Sequence, residues 1–225
     1  MSNSALISYK KISPNRTAPR NHKIDTITIH CYVGQVTAKQ GCDYLASASA
    51  KASANYVVGH DGSIGLCVEE KDRSWCSSNS ANDHRAITIE VASEKTHPYK
   101  VTDTAYKALI SLIVDICKRN GITKLLWEGN KALIGQTTKQ NMTVHRWFAN
   151  KACPGDYLYN KHKEIAQEVN KQLMDTTTTK TSTLAADLQV LVKHKVINSP
   201  TYWETKAPTV KYLPDLIHNM AEKLK

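Results

Sequence analysis

Apolar and polar residues alternate along two segments of the chain, residues 24–30 and 87–91. Successive side chains of a β-strand point to opposite faces, so this pattern predicts two strands with one apolar face each. His30 lies on the polar face of the first strand, and Glu90 lies opposite the apolar face of the second. A carboxylate in such an apolar run is costly to bury unless it has a function. Both residues are therefore candidates for a functional site.

Two further strands are predicted around Asp61-Gly62. This dipeptide separates two apolar runs, residues 55–58 and 63–68, and Asp-Gly between such runs is a strong signal for a β-hairpin. Tyr56 belongs to the first run. Its position in the alternation leaves the hydroxyl free to face the same cleft as His30. The alternative is that Tyr56 is a core aromatic residue.

The spacing of apolar residues also predicts helices. The Ala-rich segment 36–52 is expected to be helical, with Tyr44 and Leu45 facing inward. A clearer amphipathic helix begins after Thr102, which is a typical N-cap, and ends at Asn120-Gly121, since its apolar residues recur at three- and four-residue steps. Three other segments complete this part of the chain: a polar loop at 75–85, a loop at 122–142 and a helix at 158–173.

The C-terminal part of the chain differs in composition from the rest. Residues 175–183 are rich in threonine, which is typical of an interdomain linker. Residues 184–225 contain two helical stripes of apolar residues and a helix-start signal at Ser199-Pro200. A segment of this length is marginal for independent folding. We therefore expect a domain at 1–174, a linker, and a small helical module that packs on itself or on a partner copy.

Candidate chemistry is concentrated in residues 143–155, where His145, Lys151 and Cys153 lie close together. Imidazole and thiolate both bind Zn²⁺, and hydrolytic zinc sites use three protein ligands with one position left open. Pro154 and Gly155 break regular structure, so Cys153 is expected on a turn. A third ligand on a rigid strand would complete the set, and His30 is the candidate. The alternative is that His145 and Cys153 are ordinary surface or core residues.

Four separated motifs resemble one enzyme family in residues and in order. They are the strand ending at His30, the segment 54–64, the strand containing Glu90, and the segment from His145 to Gly155. Together they are similar to the zinc-dependent N-acetylmuramoyl-L-alanine amidases of the amidase-2 type, which include phage endolysins, bacterial autolysins and peptidoglycan recognition proteins. The resemblance covers about residues 20–174. It implies an α/β fold with a mixed central β-sheet flanked by helices.

The resemblance also implies roles for particular residues. Its ligand set for Zn²⁺ is His30, His145 and Cys153, and its catalytic residues are Glu90, Lys151 and Tyr56. Glu90 would accept a proton from water and pass it to the leaving amine, while Lys151 and Tyr56 would stabilise the oxyanion. The sequence leaves open whether Glu90 or Tyr56 is the main acid-base group. Many members have Trp-His where this chain has Trp75-Cys76, so a substrate-binding role of that His is not carried over.

The implied activity is hydrolysis of the amide bond between N-acetylmuramic acid and L-alanine of peptidoglycan by a zinc-activated water. The N-terminus lacks the apolar segment of a secretory signal, and no apolar run approaches the ~20 residues that span a bilayer. We therefore expect an enzyme made in the bacterial host cytoplasm that acts on the wall after release, as a phage or prophage endolysin does. Its six cysteines are expected as free thiols in that reducing compartment. A leaderless autolysin would look the same.

The chain carries a formal net charge of +10, which implies an anionic partner. Nucleic acid is not expected, because no phosphate-binding loop, RNA-binding aromatic motif or zinc-finger spacing accompanies the charge. Bacterial walls supply phosphates and peptide carboxylates, so possible partners are peptidoglycan and anionic wall polymers. The alternative is that excess lysine only keeps the surface soluble.

The C-terminal module is expected to target the wall or to mediate self-association as a homodimer. Lysines outnumber acids in it, and Tyr202, Trp203 and Tyr212 could stack on sugar faces. The alternative is that these aromatic residues form the module's own core.

Three other functions remain open from the sequence. A non-catalytic peptidoglycan-binding protein of the same fold would not need the complete ligand set. A thiol hydrolase using Cys153 and His145 would leave His30 without a role. For nucleic-acid binding, the net positive charge is the only support.

Overall fold

The computed structural model describes residues 2–210 and 213–224, without the side chains of residues 175–183, Asp215 and Glu222. The chain forms two compact units, Met1–Asn170 and Lys171–Lys225. The division into a domain at 1–174, a linker and a module at 184–225 stays a prediction, because the side chains of the linker lie outside the described part. Tyr212 also lies outside it.

The first unit contains two β-sheets. In chain order the strands are β1 (Tyr9–Lys10), β2 (Arg16–Thr17), β3 (Thr26–Cys31), β4 (Tyr56–Val58), β5 (Ile64–Leu66), β6 (Arg73–Ser74), β7 (Ala86–Val91) and β8 (Met142–Thr143). Six strands form one sheet in the order β1-β5-β4-β7-β3-β8, and β2 pairs with β6 in a second. Neighbours in the large sheet are parallel except for the β4-β5 hairpin. The predicted mixed sheet and hairpin are confirmed.

The described helices are α1 (Ala38–Leu45), α2 (Ser80–Arg85), α3 (Asp103–Asn120), α4 (Gly155–Lys193), α5 (Pro200–Lys206) and α6 (Leu213–Glu222). Helix α3 is as predicted: the Thr102 side chain accepts a hydrogen bond from the Ala105 amide, and Gly121 ends the helix at φ +70°. None of the described helices has both the length and the apolarity needed to cross a bilayer.

Two local predictions are wrong. The helix expected over 36–52 is only eight residues long, and Tyr44 is 62% exposed instead of facing inward. The loop expected at 75–85 contains α2, because the Asn79 side chain accepts a hydrogen bond from the Asn82 amide and caps this short helix. Both errors concern short helices, which carry little periodicity of their own.

Strand register determines which side chains share a face of the large sheet. His30 of β3 pairs with Glu90 of β7, and Glu90 pairs with Val57 of β4. Paired residues point to the same face. Helix α1 covers part of this face, since Cys42 and Leu45 pack against Val57 in one buried cluster. The paired residues on the opposite face are Ile29, Ile89 and Tyr56.

A buried polar network supports the sheet on the His30 side. The hydroxyl oxygens of Thr28 and Thr143 lie 2.7 Å apart and join β3 to β8. The Asn82 amide group donates to Thr28 at 3.1 Å and accepts from Thr143 at 2.9 Å. Helix α2 is thereby fixed to the two strands that lead to His30 and His145. Because every member has partners, the network can be buried without leaving unsatisfied groups.

In the second unit, apolar residues from the end of α4, from the 3₁₀ turn Ala207–Thr209 and from α6 form a separate buried core. These residues are Leu184, Leu188, Leu191, Ala207, Ile217 and Ala221. Trp203 is partly buried and packs against this core, whereas Tyr202 is 56% exposed. Trp203 is therefore part of the core of this unit, and Tyr202 remains available to contact a ligand.

Candidate active site

His30 lies on β3, an interior strand of the large sheet. Strand β3 lies between β7 and β8, and the side chain of His30 is fully buried. Its Nδ1 lies 3.3 Å from the Cys153 sulfur. Its Nε2 is also buried and has no hydrogen-bond partner among the described residues. An imidazole with one ring nitrogen directed at a thiol is suited to hold a metal ion with it.

The other two candidate ligands arrive from the segment after β8. His145 begins a 3₁₀ turn, and its ring packs edge-on against the His30 ring with centroids 5.2 Å apart. The His145 Nε2 lies 3.0 Å from the Ser78 hydroxyl. Cys153 lies on a turn directly before Pro154 and Gly155. One ligand atom from each of His30, His145 and Cys153 lies within 4.8 Å of the others.

This donor set fits a catalytic zinc ion. A tetrahedral zinc ion with sulfur at about 2.3 Å and nitrogen at about 2.0 Å separates those two atoms by about 3.5 Å, close to the 3.3 Å between Cys153 Sγ and His30 Nδ1. Three protein ligands leave the fourth position open, as in hydrolytic zinc sites. The sequence-predicted ligands are thus brought together, and their role as zinc ligands remains a prediction.

Protonation states at the site follow from burial. Burial lowers the pKa of His30 to about 3, with His145 and His162 adding to the effect. Burial and then the charge of Lys151 lower the pKa of His145. Both imidazoles are therefore neutral near pH 7, which is the form that binds metals. A hydrogen bond with Cys31 and burial raise the pKa of the Cys153 thiol, so metal binding has to displace its proton.

Glu90 lies next to this group because it pairs with His30 across β7 and β3. Its Oε1 accepts from the Cys76 thiol at 3.8 Å, and its Oε2 is buried without a partner among the described residues. Burial raises the pKa of Glu90 to about 7, against the lowering effect of the Cys76 hydrogen bond. A carboxylate with a pKa near neutrality can both accept and release a proton.

An open cleft of about 430 Å³ adjoins the candidate ligands. Lys151 and His145 both line it, and Lys151 is exposed. Asp83 also lines the cleft, but its carboxylate accepts hydrogen bonds from the backbone amides of Cys76 and Ser77. The other lining residues include Lys51, Arg73, Trp75, Asn79 and Ser80. The lining of the cleft thus includes three cationic side chains and an indole.

Tyr56 does not face this cleft, so that expectation is wrong. Its hydroxyl donates to Glu70 Oε1 at 2.6 Å and accepts from the Ser4 amide at 2.9 Å. Glu70 in turn forms an ion pair with Arg119 of α3 at 2.6 Å. The reason is the register, since Tyr56 pairs with Ile89 and points to the opposite face of the sheet from His30. Tyr56 is therefore the core aromatic residue of the alternative.

Sequence reasoning missed two residues that support the ligands. Ser78 contacts His145, but nothing distinguishes it within a loop of serines and asparagines. Arg146 connects the two ligand segments: its amide donates to the Cys153 carbonyl at 3.1 Å, and its guanidinium donates to the Ala152 carbonyl at 2.7 Å. The same guanidinium forms an ion pair with Asp156 at 3.0 Å. Only its position next to His145 could have drawn attention to Arg146.

A family model described as Amidase_2, N-acetylmuramoyl-L-alanine amidase, matches residues 20–156. The chain therefore belongs to the N-acetylmuramoyl-L-alanine amidase family, and its enzyme class is that of a peptidoglycan amidase. No curated protein sequence matches the chain.

Solved structures agree on the fold. A mutant endolysin from Bacillus subtilis is 18% identical with a TM-score of 0.53, over 73% of this chain and 99% of that chain. A selenomethionine derivative of AmpD is also 18% identical with a TM-score of 0.53, over 72% of this chain and 96% of that chain. At this identity the likeness concerns the fold alone.

Proposed function

We propose that the chain is a zinc-dependent amidase that cleaves the bond between N-acetylmuramic acid and L-alanine in bacterial peptidoglycan, and that it acts as an endolysin. One observation carries the proposal. Ligand atoms of His30, His145 and Cys153 converge within 4.8 Å at the edge of an open cleft, with Glu90 beside them. Two imidazoles, a thiol and an adjacent carboxylate are the groups that metal-assisted amide hydrolysis requires.

Zinc held by His30, His145 and Cys153 would supply a Lewis acid that polarises the scissile carbonyl and activates water. The chain's own residues determine where that chemistry occurs. Strand β3 fixes His30, and the hydrogen bond between the Arg146 amide and the Cys153 carbonyl holds the two other ligands on one short loop. Ligands fixed in this way need little reorganisation on metal binding.

Glu90 is the proton-transfer group of the proposal. Its carboxylate lies next to the ligands through the pairing with His30, and one oxygen has no partner among the described residues. That oxygen can accept a proton from the attacking water and return it to the amino group of L-alanine as the amide bond breaks. A general base must lie within hydrogen-bond reach of the reacting atoms, and the place of Glu90 beside the ligand group, within 4.8 Å of a His30 ring nitrogen, supports this role.

Lys151 is the candidate for oxyanion stabilisation. It is exposed at the cleft, and its positive charge acts on His145. A cation at this position can stabilise the negative charge that develops on the carbonyl oxygen during attack. The hydroxyl of Tyr56 cannot share this role from its position on Glu70, so the proposal assigns oxyanion stabilisation to Lys151 alone.

The cleft and the second unit suggest how the wall is bound. Lys51 and Arg73 line the cleft with Trp75, and these groups suit peptide carboxylates and sugar faces. In the second unit, Tyr202 is exposed and lysines are in excess. We propose that this unit binds an anionic wall polymer, and self-association as a homodimer is the competing role.

A wall-digestion assay tests the proposal. Purified full-length chain is incubated with peptidoglycan, and new L-alanine amino termini are counted separately from new reducing sugar ends. We expect alanine termini without reducing ends, loss of this activity on chelation, and its return with zinc. His30→Ala is expected to be inactive, while the matched control His22→Ala, which changes a partly exposed imidazole, cleaves like the unaltered chain.

Other outcomes separate the alternatives. Full turnover by metal-free protein contradicts the zinc proposal. Reducing ends without alanine termini contradict amidase activity. Binding to walls without either product supports a non-catalytic peptidoglycan-binding protein.

A further inference from the structure

We infer that Cys76 and Glu90 form a second, inhibitory binding site for a thiophilic divalent metal ion such as zinc or cadmium, beside the proposed catalytic ion. This inference rests on the proposed function for its inhibitory effect, although binding of the second ion can be tested without activity. It starts from a second group of potential ligands, because atoms of His30, Cys76 and Glu90 also lie within 4.8 Å of one another.

The distance between the two new ligands matches a shared metal ion. The Cys76 sulfur and the Glu90 Oε1 lie 3.8 Å apart. A tetrahedral zinc ion separates a sulfur and an oxygen ligand by about 3.5 Å. A shift of a few tenths of an ångström therefore brings both atoms into coordination distance, and a larger ion such as cadmium needs even less.

The free carboxylate oxygen points to the same conclusion. Glu90 Oε2 is buried and has no hydrogen-bond partner among the described residues. A buried polar atom without a partner is unfavourable, and a bound cation would satisfy it. The Cys76 side is also fixed in advance, because its backbone amide donates to the Asp83 carboxylate at 3.0 Å.

The site is open to solvent from one side. Cys76 lines the 430 Å³ cleft and is partly exposed, so an ion can approach this residue from the cleft. Coordination replaces the thiol proton: the S–H bond breaks, the sulfur–metal bond forms, and the proton leaves to solvent. No oxidant or reductant is needed for this exchange.

Because both ligand groups contain His30, the second ion is expected to bind with lower affinity than the catalytic ion. Both ligand groups use His30, and one ring nitrogen binds one ion. With the catalytic ion on His30, His145 and Cys153, the second ion has only Cys76 and Glu90 as protein ligands. Two ligands hold zinc less tightly than three, so the second ion is expected to bind only when metal is in excess.

Inhibition follows from the use of Glu90. A carboxylate that coordinates a metal ion no longer accepts a proton from water. The rate should therefore fall as the second ion binds. At free zinc about ten times the dissociation constant of the second site, about nine-tenths of the molecules carry the second ion, so the rate should fall about tenfold.

A cadmium titration of reduced, metal-free, full-length chain tests the second site directly. Cadmium–thiolate bonds give an ultraviolet charge-transfer band that counts coordinated sulfurs. We expect two steps in the unaltered chain, only the tighter step in Cys76→Ser, only the weaker step in Cys153→Ser, and a weaker second step in Glu90→Gln. The double variant Cys76→Ser with Cys153→Ser is the control for the four remaining thiols, and we expect neither step in it.

Several outcomes overturn the inference. Absence of a Cys76-dependent step from the unaltered chain does so, and so does a second step that persists in Cys76→Ser. Near-ultraviolet circular dichroism of each metal-free variant checks folding, and Cys76→Ala replaces the serine variant if the latter is unfolded. If the tighter step is absent while the Cys76 step remains, the proposed catalytic site fails and the second site stands.

Zinc inhibition provides the functional readout. Each variant's rate with excess zinc is divided by its own rate at one equivalent. We expect this ratio to fall about tenfold in the unaltered chain near the excess estimated above, and to stay near one in Cys76→Ser. Equal inhibition of both proteins means that Cys76 holds no inhibitory ion, and the inference is then wrong.

Discussion

The backbone amide of Arg146 donates a hydrogen bond to the carbonyl oxygen of Cys153 over 3.1 Å. This bond joins the residue after one candidate ligand to the other candidate ligand. The Arg146 guanidinium strengthens the connection by bonding the Ala152 carbonyl and the Asp156 carboxylate. Arg146 is therefore placed to hold His145 and Cys153 at a fixed separation.

Substitution of Arg146 should lower the affinity of the chain for zinc while the chain stays folded. Arg146→Ala is expected to lower zinc affinity about tenfold, which is typical for loss of a residue that orients metal ligands. Competition with a chromophoric chelator measures the affinity, and Arg146→Lys should recover part of it. Lys161→Ala, which removes a cation of α4 that pairs with Glu164, is the control. Equal affinity of Arg146→Ala and the unaltered chain would remove Arg146 from any positioning role.

Substitution of Lys151 should lower the catalytic rate without changing the zinc content. Lys151→Ala is expected to keep its zinc while its kcat falls by roughly 10²-fold or more, as on removal of an oxyanion donor. Metal analysis and initial rates on muropeptide measure the two quantities. Lys95→Ala, at an exposed position, is the control. An unchanged rate would reassign Lys151 to the surface charge of the cleft.

Tyr56 should matter for stability and not for catalysis. Tyr56→Phe removes a buried hydrogen bond to the ion-paired Glu70, and such a bond contributes about 1.5–3 kcal/mol. Urea unfolding should show a loss of this size, while kcat of the folded variant stays unchanged. Tyr44→Phe, at an exposed position, should change neither quantity. A large loss of kcat without loss of stability would show that Tyr56 has a catalytic role.

The buried carboxyl of Glu90 should contribute less to the stability of the metal-free chain as pH rises. Burial raises its pKa from an ordinary 4.5 to about 7, so between these values the folded state binds more protons than the unfolded state. The contribution of Glu90 to stability is then fully present below pH 4.5 and falls by up to roughly 3 kcal/mol as pH rises through 7. The buried imidazole of His30, whose pKa is lowered to about 3, contributes the opposite slope below the ordinary pKa of 6.5. Urea unfolding of the unaltered chain and of Glu90→Gln at several pH values isolates the Glu90 contribution, since the difference between their unfolding free energies should change by this amount between pH 4.5 and 7. The same slope in both proteins would contradict a buried, protonated Glu90.

Removal of the C-terminal unit should separate wall binding from cleavage. Truncation after Met174 is expected to leave zinc binding and cleavage of soluble muropeptide intact. Binding to intact walls should decrease, with a difference that shrinks at high salt because the second unit carries excess lysine. Co-sedimentation with walls measures binding. If the truncated chain sediments as completely as the full chain, sedimentation of the protein alone would then test self-association.

The sequence by itself determined strands β3 and β7, the β4-β5 hairpin, helix α3 and the candidate ligands. Alternation placed His30 and Glu90 opposite the isoleucines of their strands, and Asp61-Gly62 marked the hairpin. Capping residues defined both ends of α3. The identities of His145 and Cys153 were also readable, because few residue types bind zinc and motif spacing is a property of the chain.

Only the tertiary structure decided which of these residues meet. Alternation within β4 could not tell whether Tyr56 shares a face with His30, because that depends on the register between strands far apart in sequence. The pairing of Tyr56 with Ile89 places Tyr56 on the opposite face of the sheet from His30, where its hydroxyl donates a hydrogen bond to Glu70. The approach of Cys76 to Glu90 likewise depends on the packing of a loop against a strand, and such long-range contacts leave no periodic signal in the sequence.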